Sequence, residues 1–236
     1  MPTSASVVSI GDTELQSGVV LPDLKISHST FGTLNATRSN AILLPTFYGG
    51  KHSDYEPMIG VDKALDPSKY FIIVVDMMCN GLSSSPSNSA SPFSGSNFPK
   101  ITHWDNVHAQ QKMLKQEYGI ESLSLVSGFS MGGQQANHWA AIFPDRVERM
   151  ISWCGSAVTS PHNWVFLEGV KAGLVTDPTF AGGAYVDPPE AGIRAFARIW
   201  AGWGPSQAFY RNKLHVDLGQ ATAADHMSEF WEPNFL

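Results

Sequence analysis

The segment that most restricts the fold is Gly128-Phe129-Ser130-Met131-Gly132, because of what flanks it. The apolar stretch Leu123 to Val126 runs into it, and the helical pattern Met131 to Phe143, closed by Pro144, runs out of it. A G-x-S-x-G pentapeptide at a strand-to-helix junction is what a nucleophile elbow requires, since the serine sits on a sharp, strained turn that only glycines can crowd. Ser130 Oγ would then project at the carboxyl end of a sheet, above the N-terminus of the next helix. There the helix dipole and free N–H groups favour a developing oxyanion.

The rest of the chain supplies the sheet. Asn40 to Pro45, Tyr70 to Val75 and Arg149 to Cys154 are continuous apolar runs, which suit strands covered on both faces. A second helical pattern spans Trp104 to Tyr118 and closes on Gly119. Strands alternating with helices predict an α/β class with a mostly parallel sheet. Leu24 to Phe31 alternates and predicts an antiparallel edge or hairpin strand. Cys79 to His103, with eight Ser, three Pro and two Gly, is a long loop expected either to rim an active site or to be a surface excursion. Asn163 to Leu236 has helical patterning, clearest over Ile193 to Trp203, and no strand-like run, which predicts a helical insertion or cap.

Composition excludes several classes. A length of 236 residues fits one large domain, and a 43% hydrophobic content with 13 Phe and 7 Trp is ample for a core. A net charge of −6 leaves no basic footprint, so nucleic acid is not an expected partner. The best apolar run, Phe71 to Val75, stops at Asp76, far short of the ~20 residues of a membrane span. The N-terminus, Met1-Pro2-Thr3-Ser4, has neither a basic residue nor an apolar core, so it does not read as a signal peptide. A cytoplasmic protein without a membrane partner is expected. Cys79 and Cys154 are too few for a disulfide scaffold and read as buried small thiols. Eight histidines without H-x-x-x-H or Cys pairing leave metal chemistry unsupported, and no metal is expected.

A second oxyanion donor in such a site comes from the loop after an earlier strand. Here Pro45-Thr46-Phe47-Tyr48-Gly49-Gly50 follows Asn40 to Leu44. Spacing assigns one donor to the backbone N–H of Phe47 and the other to that of Met131.

Together the segments TFYGGKH, DMMCNGLSSSPS, FPKITHWDNVHAQQ, GFSMGGQQANHWAAIFPDRVERM and VFLEGVKAGLVTDPTFAGGAY resemble the homoserine O-acetyltransferase branch of the α/β-hydrolase superfamily. The resemblance runs from about Gly18 to the last residue. It implies an α/β-hydrolase fold, a mostly parallel sheet flanked by helices, with residues 1–160 as the core (strands 1 to 6) and 161–236 as a helical lid. It also implies a serine acyl-enzyme mechanism with Ser130 as nucleophile, Phe47 and Met131 framing the oxyanion hole, and a homodimer built through the lid. Homoserine transferases carry an arginine in the first lid helix that pairs with the substrate carboxylate. The matching position here is Lys171, which keeps the charge but loses the bidentate fork. This makes water a better acceptor than homoserine.

The triad of this superfamily follows the order Ser, acid, His, with acid and base on loops after the last strands. Asp217 with His226, or Asp225 with His226, fits the order but not the spacing. His52, His103, His108 and His138 precede or closely follow the elbow. The final strands therefore read as missing. The expected activity is an esterase acting on a small ester or alcohol substrate through acyl-Ser130. The alternative is an O-acetyltransferase, with acetyl-CoA as co-substrate and no other cofactor. The competing class is a truncated non-catalytic paralogue, or half of a split enzyme whose second chain brings the missing strands, Asp and His. Without those partners turnover should drop by very roughly 10⁴–10⁶.

Overall fold

In the computed structural model, which describes residues 5–236, the chain divides into two compact units, residues 1–158 and 159–236. The first carries strands β1 (Ser6–Ser9), β2 (Thr13–Glu14), β3 (Val20–Leu21), β4 (Lys25–Phe31), β5 (Ala41–Pro45), β6 (Phe71–Val75), β7 (Leu125–Phe129) and β8 (Met150–Trp153), with helices α1 (His103–Tyr118) and α2 (Met131–Ile142). The second carries α3 (Pro161–Val175), α4 (Glu190–Trp203) and α5 (Gln207–Arg211). The main sheet has the order β1-β4-β6-β5-β7-β8, and β2 pairs with β3. From β6 through β5 and β7 to β8 the strands are parallel, while β1, β4 and β6 are antiparallel in turn. The register sets Ile42 beside Ile72, Leu43 beside Val126, and Gly128 beside Ser152.

The continuous apolar runs of β5 and β6 follow from burial on both faces, but that of β8 does not: at the sheet's edge Met150 and Ile151 are exposed. Leu43, Ile73, Val75 and Val126 join Val107, Met113 and Leu114 of α1 and Ala136 and Trp139 of α2 in one core cluster. Ile42, Leu44, Ile72 and Val74 face the other way, against Phe31, Tyr55 and Leu65. Helix α1 starts on a capping box, with Thr102 Oγ1 accepting from Asp105 N–H and Asp105 Oδ2 accepting from Thr102 N–H at 2.8 Å. It ends at Gly119, whose φ of 63° is the left-handed conformation a C-terminal cap needs.

Three expectations change. The strand expected over Leu24 to Phe31 is antiparallel but interior: β1, a short Ser-flanked strand with little pattern of its own, takes the edge beside it. The strand leading to the pentapeptide begins at Leu125, not Leu123, and extends to Phe129, absorbing Ser127 and Gly128, residues of low strand propensity, because both pair with β8. Both cysteines are exposed rather than buried, each at a positive φ (72° at Cys79, 54° at Cys154) in a turn after a parallel strand. The Ser-rich loop is held by hydroxyl bonds to β4: Ser83 Oγ accepts from Ser27 N–H at 2.9 Å, and Ser84 Oγ from Lys25 N–H at 2.9 Å.

In the second unit Phe166 stacks on Trp203 at 4.5 Å and meets Trp200 edge-on at 4.8 Å, joining α3 to α4. Glu232, with its side chain only 4% exposed, accepts from Arg194 Nη1 at 2.7 Å and Arg198 Nε at 2.6 Å. Hydrogen bonds from Arg194 and then Arg198 hold its carboxyl below the ordinary 4.5. A depressed folded-state pKa means that this stabilisation is complete above 4.5 and is lost as pH falls through the lowered value. Glu232→Gln is therefore expected to melt earlier than the parent at neutral pH, with the gap closing as the pH falls through the lowered value. An undiminished gap at acid pH would show that the pair does not act through ionisation. No helix among the described residues is long and apolar enough to cross a membrane.

Candidate active site

Ser130 stands between the last residue of β7 and the first of α2 with φ 51° and ψ −117°, a conformation that L-residues avoid. The backbone around it is pinned. Ser130 N–H donates to Trp153 O at 2.9 Å, and Gln134 N–H donates to Ser130 O at 3.0 Å. Phe129 N–H donates to the Tyr55 hydroxyl at 3.1 Å, which itself donates to Pro45 O at 3.1 Å. One buried phenol thus ties the residue before the nucleophile to the end of β5. Close approach explains the glycines: a Cβ at Gly128 would lie 2.2 Å from the Gly132 carbonyl, and one at Gly132 would lie 2.4 Å from Pro45 O. Ser130 Oγ makes no hydrogen bond among the described residues.

Met131 opens α2, so its N–H has no intrahelical acceptor. Phe47 lies in the loop after β5, beside the elbow, its ring 5.4 Å from that of Phe129 and 5.8 Å from that of Tyr55. Neither N–H donates a hydrogen bond among the described residues. Phe47, Ser130 and Met131 therefore come together at the carboxyl ends of two adjacent parallel strands, β5 and β7. Lys171 is on α3 in the second unit, exposed, with Nζ 3.0 Å from Glu168 Oε2 on its own helix face.

Asp76, directly after β6 and fully buried, holds the far end of the Phe47 loop. It accepts from His52 N–H at 2.8 Å, His52 Nδ1 at 2.6 Å, Ser27 Oγ at 2.8 Å and Asn80 Nδ2 at 3.2 Å. Asp76→Leu leaves those donors without an acceptor and is expected to cost about 3 kcal/mol in urea unfolding. A loss below about 1 kcal/mol would show that water replaces the carboxylate. A second tether reaches the same loop from the helices. Trp139 Nε1 donates to Gln110 Oε1 at 2.8 Å, Gln110 Nε2 to Gln135 Oε1 at 2.7 Å, and Gln135 Nε2 to Thr46 O at 2.9 Å.

His52–Asp76 is the one imidazole–carboxylate pair among the described residues, and no hydrogen bond joins it to Ser130. His226 is buried with both ring nitrogens engaged: Nδ1 with Gln220 Oε1 at 3.2 Å, while Nε2 accepts from Trp231 Nε1 at 3.0 Å. Its neighbour Asp225 caps a helical turn through Thr222. Beside Met131 an open cavity of about 500 Å³ is lined by Met77, Met78, Cys79, His103 and His138 among others. Both ends of the Ser-rich loop thus border it. Burial keeps His103 below its ordinary value. Sequence reading passes over Tyr55, Asp76 and Gln135. Asp76 registers there only as the polar stop to an apolar run, and Gln135 as one polar residue in a helix.

The profile of the alpha/beta hydrolase fold family matches residues 42–185, well over half of the chain. The chain belongs to the α/β hydrolases. Among α/β hydrolases it is 41% identical to an ethyl acetate hydrolase of Pseudomonas veronii, over 90% of this chain and 62% of that protein. The crystal structure of an acetylester hydrolase from Corynebacterium glutamicum superposes with a TM-score of 0.95 at 40% identity, covering 98% of this chain and 67% of that one. A homoserine O-acetyltransferase of Haemophilus influenzae is 31% identical over 94% of this chain and 64% of its own length. This α/β hydrolase chain thus spans about two thirds of the lengths of the curated relatives it matches.

Proposed function

We propose that this protein is a serine esterase acting on esters of small acyl groups, acetate esters first, in the cytoplasm. The observation that carries this reading is the strained Ser130 at the strand-to-helix junction, its Oγ unengaged among the described residues, with Phe47 on the neighbouring loop packed against Phe129. Its higher identity to an ethyl acetate hydrolase than to a homoserine acetyltransferase favours water as acceptor, as does Lys171 in place of an arginine. In the reaction Ser130 Oγ would give its proton to an imidazole base, which no described residue places against it, and bond to the ester carbonyl carbon. The carbonyl oxygen becomes an oxyanion between the N–H groups of Phe47 and Met131. The C–O bond to the alcohol then breaks, and the alcohol takes the proton from the imidazolium. Water, activated by the same base, releases the acid and restores Ser130.

The test is fluorophosphonate labelling with peptide mapping, run alongside hydrolysis of ethyl acetate. Labelling at Ser130 with acetate release supports the esterase. Acetyl-CoA consumption that depends on homoserine and outruns hydrolysis would replace it with acetyl transfer. A second reading rests on the absence of any imidazole hydrogen-bonded to Ser130 among the described residues. In that reading base and acid arrive on another polypeptide that also covers β8, the sheet's last strand, where Ile151 is 53% exposed. Labelling that appears only when such a polypeptide is added would favour it.

A further inference from the structure

We propose that Gln135 is a positioning residue for the oxyanion site, holding the Thr46–Phe47 peptide so that the Phe47 N–H faces the substrate. The inference rests on the reading of Phe47 N–H as an oxyanion donor. A trans peptide is planar, and its C=O and N–H point in opposite directions. Gln135 Nε2 grips Thr46 O at 2.9 Å from the α2 side, so the N–H of the same peptide plane is turned away from α2's interior. Thr46 is fixed on its other groups too: its N–H donates to Val75 O at 3.0 Å, and its Oγ1 accepts from Met77 N–H at 3.0 Å. Only the rotation of the 46–47 peptide is left for Gln135 to set.

The direction of the relay is unambiguous chemically. An indole N–H only donates and a carbonyl only accepts. With Trp139 at one end and Thr46 O at the other, Gln110 must present its oxygen to Trp139 and its NH₂ to Gln135. Gln135 must then present its oxygen to Gln110 and its NH₂ to Thr46. All four residues are buried. Two amides in the α1–α2 interface are costly where leucines would pack without polar needs. The chain satisfies both amides only by ending on the peptide that carries the Phe47 N–H. Aligned hydrogen bonds also polarise one another, so donation to Thr46 O makes the Phe47 N–H a stronger donor.

Gln135→Met keeps length and loses the donor. It is expected to move the Phe47 amide nitrogen resonance upfield, and to lower kcat for acetate ester hydrolysis at least about tenfold with KM little changed. Gln135→Glu is the rescue variant. Ionised, it cannot donate to Thr46 O; protonated, it can, while still accepting from Gln110. Its activity relative to the parent should therefore rise as pH falls, whereas that of Gln135→Met should not. An unmoved Phe47 resonance in Gln135→Met overturns the proposal, whether or not the parent protein turns over ester. So does a KM rise with unchanged kcat, or a Gln135→Glu to parent ratio that is flat with pH. Failure of the parent to label at Ser130 would instead count against the esterase reading.

Discussion

A Gly128→Ala protein is expected to lose at least about 3 kcal/mol of stability in urea unfolding, or to fail to fold, although alanine adds one methyl group. The added Cβ would sit 2.2 Å from both the carbonyl carbon and the oxygen of Gly132 and 2.7 Å from Gly133 N, all of them backbone. No rotamer change relieves such an overlap; α2 must move off β7. That movement is resisted from the other side, because Gly132 already packs against Pro45 O and the Tyr55 hydroxyl. Gly202→Ala in α4 is the internal contrast. Nothing lies within 4 Å of its new Cβ, so the helix-forming preference of alanine should raise stability by about 0.5–1 kcal/mol. If Gly128→Ala cost less than about 1 kcal/mol, the elbow would be a compliant turn and not a rigid junction.

The same contact explains which parts of the site could be read in the sequence. The pentapeptide is legible because helix-on-strand packing forces glycine at positions where any Cβ meets backbone, leaving a fixed local signature. β5 and β6 are legible because two-sided burial writes continuous apolar runs, whereas β8 carries such a run at the sheet's edge with Met150 and Ile151 exposed. β1 is not, since Ser6–Ser9 owes its strand conformation to pairing with Lys25–His28 and not to its own residues. The long loop shows no periodicity in the sequence, yet Ser83 and Ser85 are buried and donate to backbone carbonyls. Tyr55, Asp76 and Gln135 were illegible for a related reason. Each acts on a residue brought close by the fold, Gln135 on Thr46 across 89 positions, and a single polar side chain does not announce its partner.

Ser130 carries the other large expected effect. Ser130→Ala should abolish fluorophosphonate labelling at this position and lower ester hydrolysis toward background, by up to about 10⁶-fold where the triad is complete. Alanine retains the Cβ and so retains the strain of φ 51° and ψ −117°; glycine does not. Ser130→Gly should be as inactive as Ser130→Ala but more stable than it by about 1 kcal/mol. The comparison separates two reasons for an unusual backbone. If the surroundings hold Ser130 against its preference, through Trp153 O, Gln134 N–H and the Tyr55 tether on Phe129, then relieving the strain must appear as stability. Equal melting of the alanine and glycine variants would mean that the turn costs nothing, and its geometry would then be no argument for catalysis. Labelling that persists at another residue in Ser130→Ala would move the nucleophile elsewhere. A site built for attack by Ser130 predicts the opposite on both counts: the hydroxyl is indispensable, and the conformation that presents it is one the chain would leave if it could.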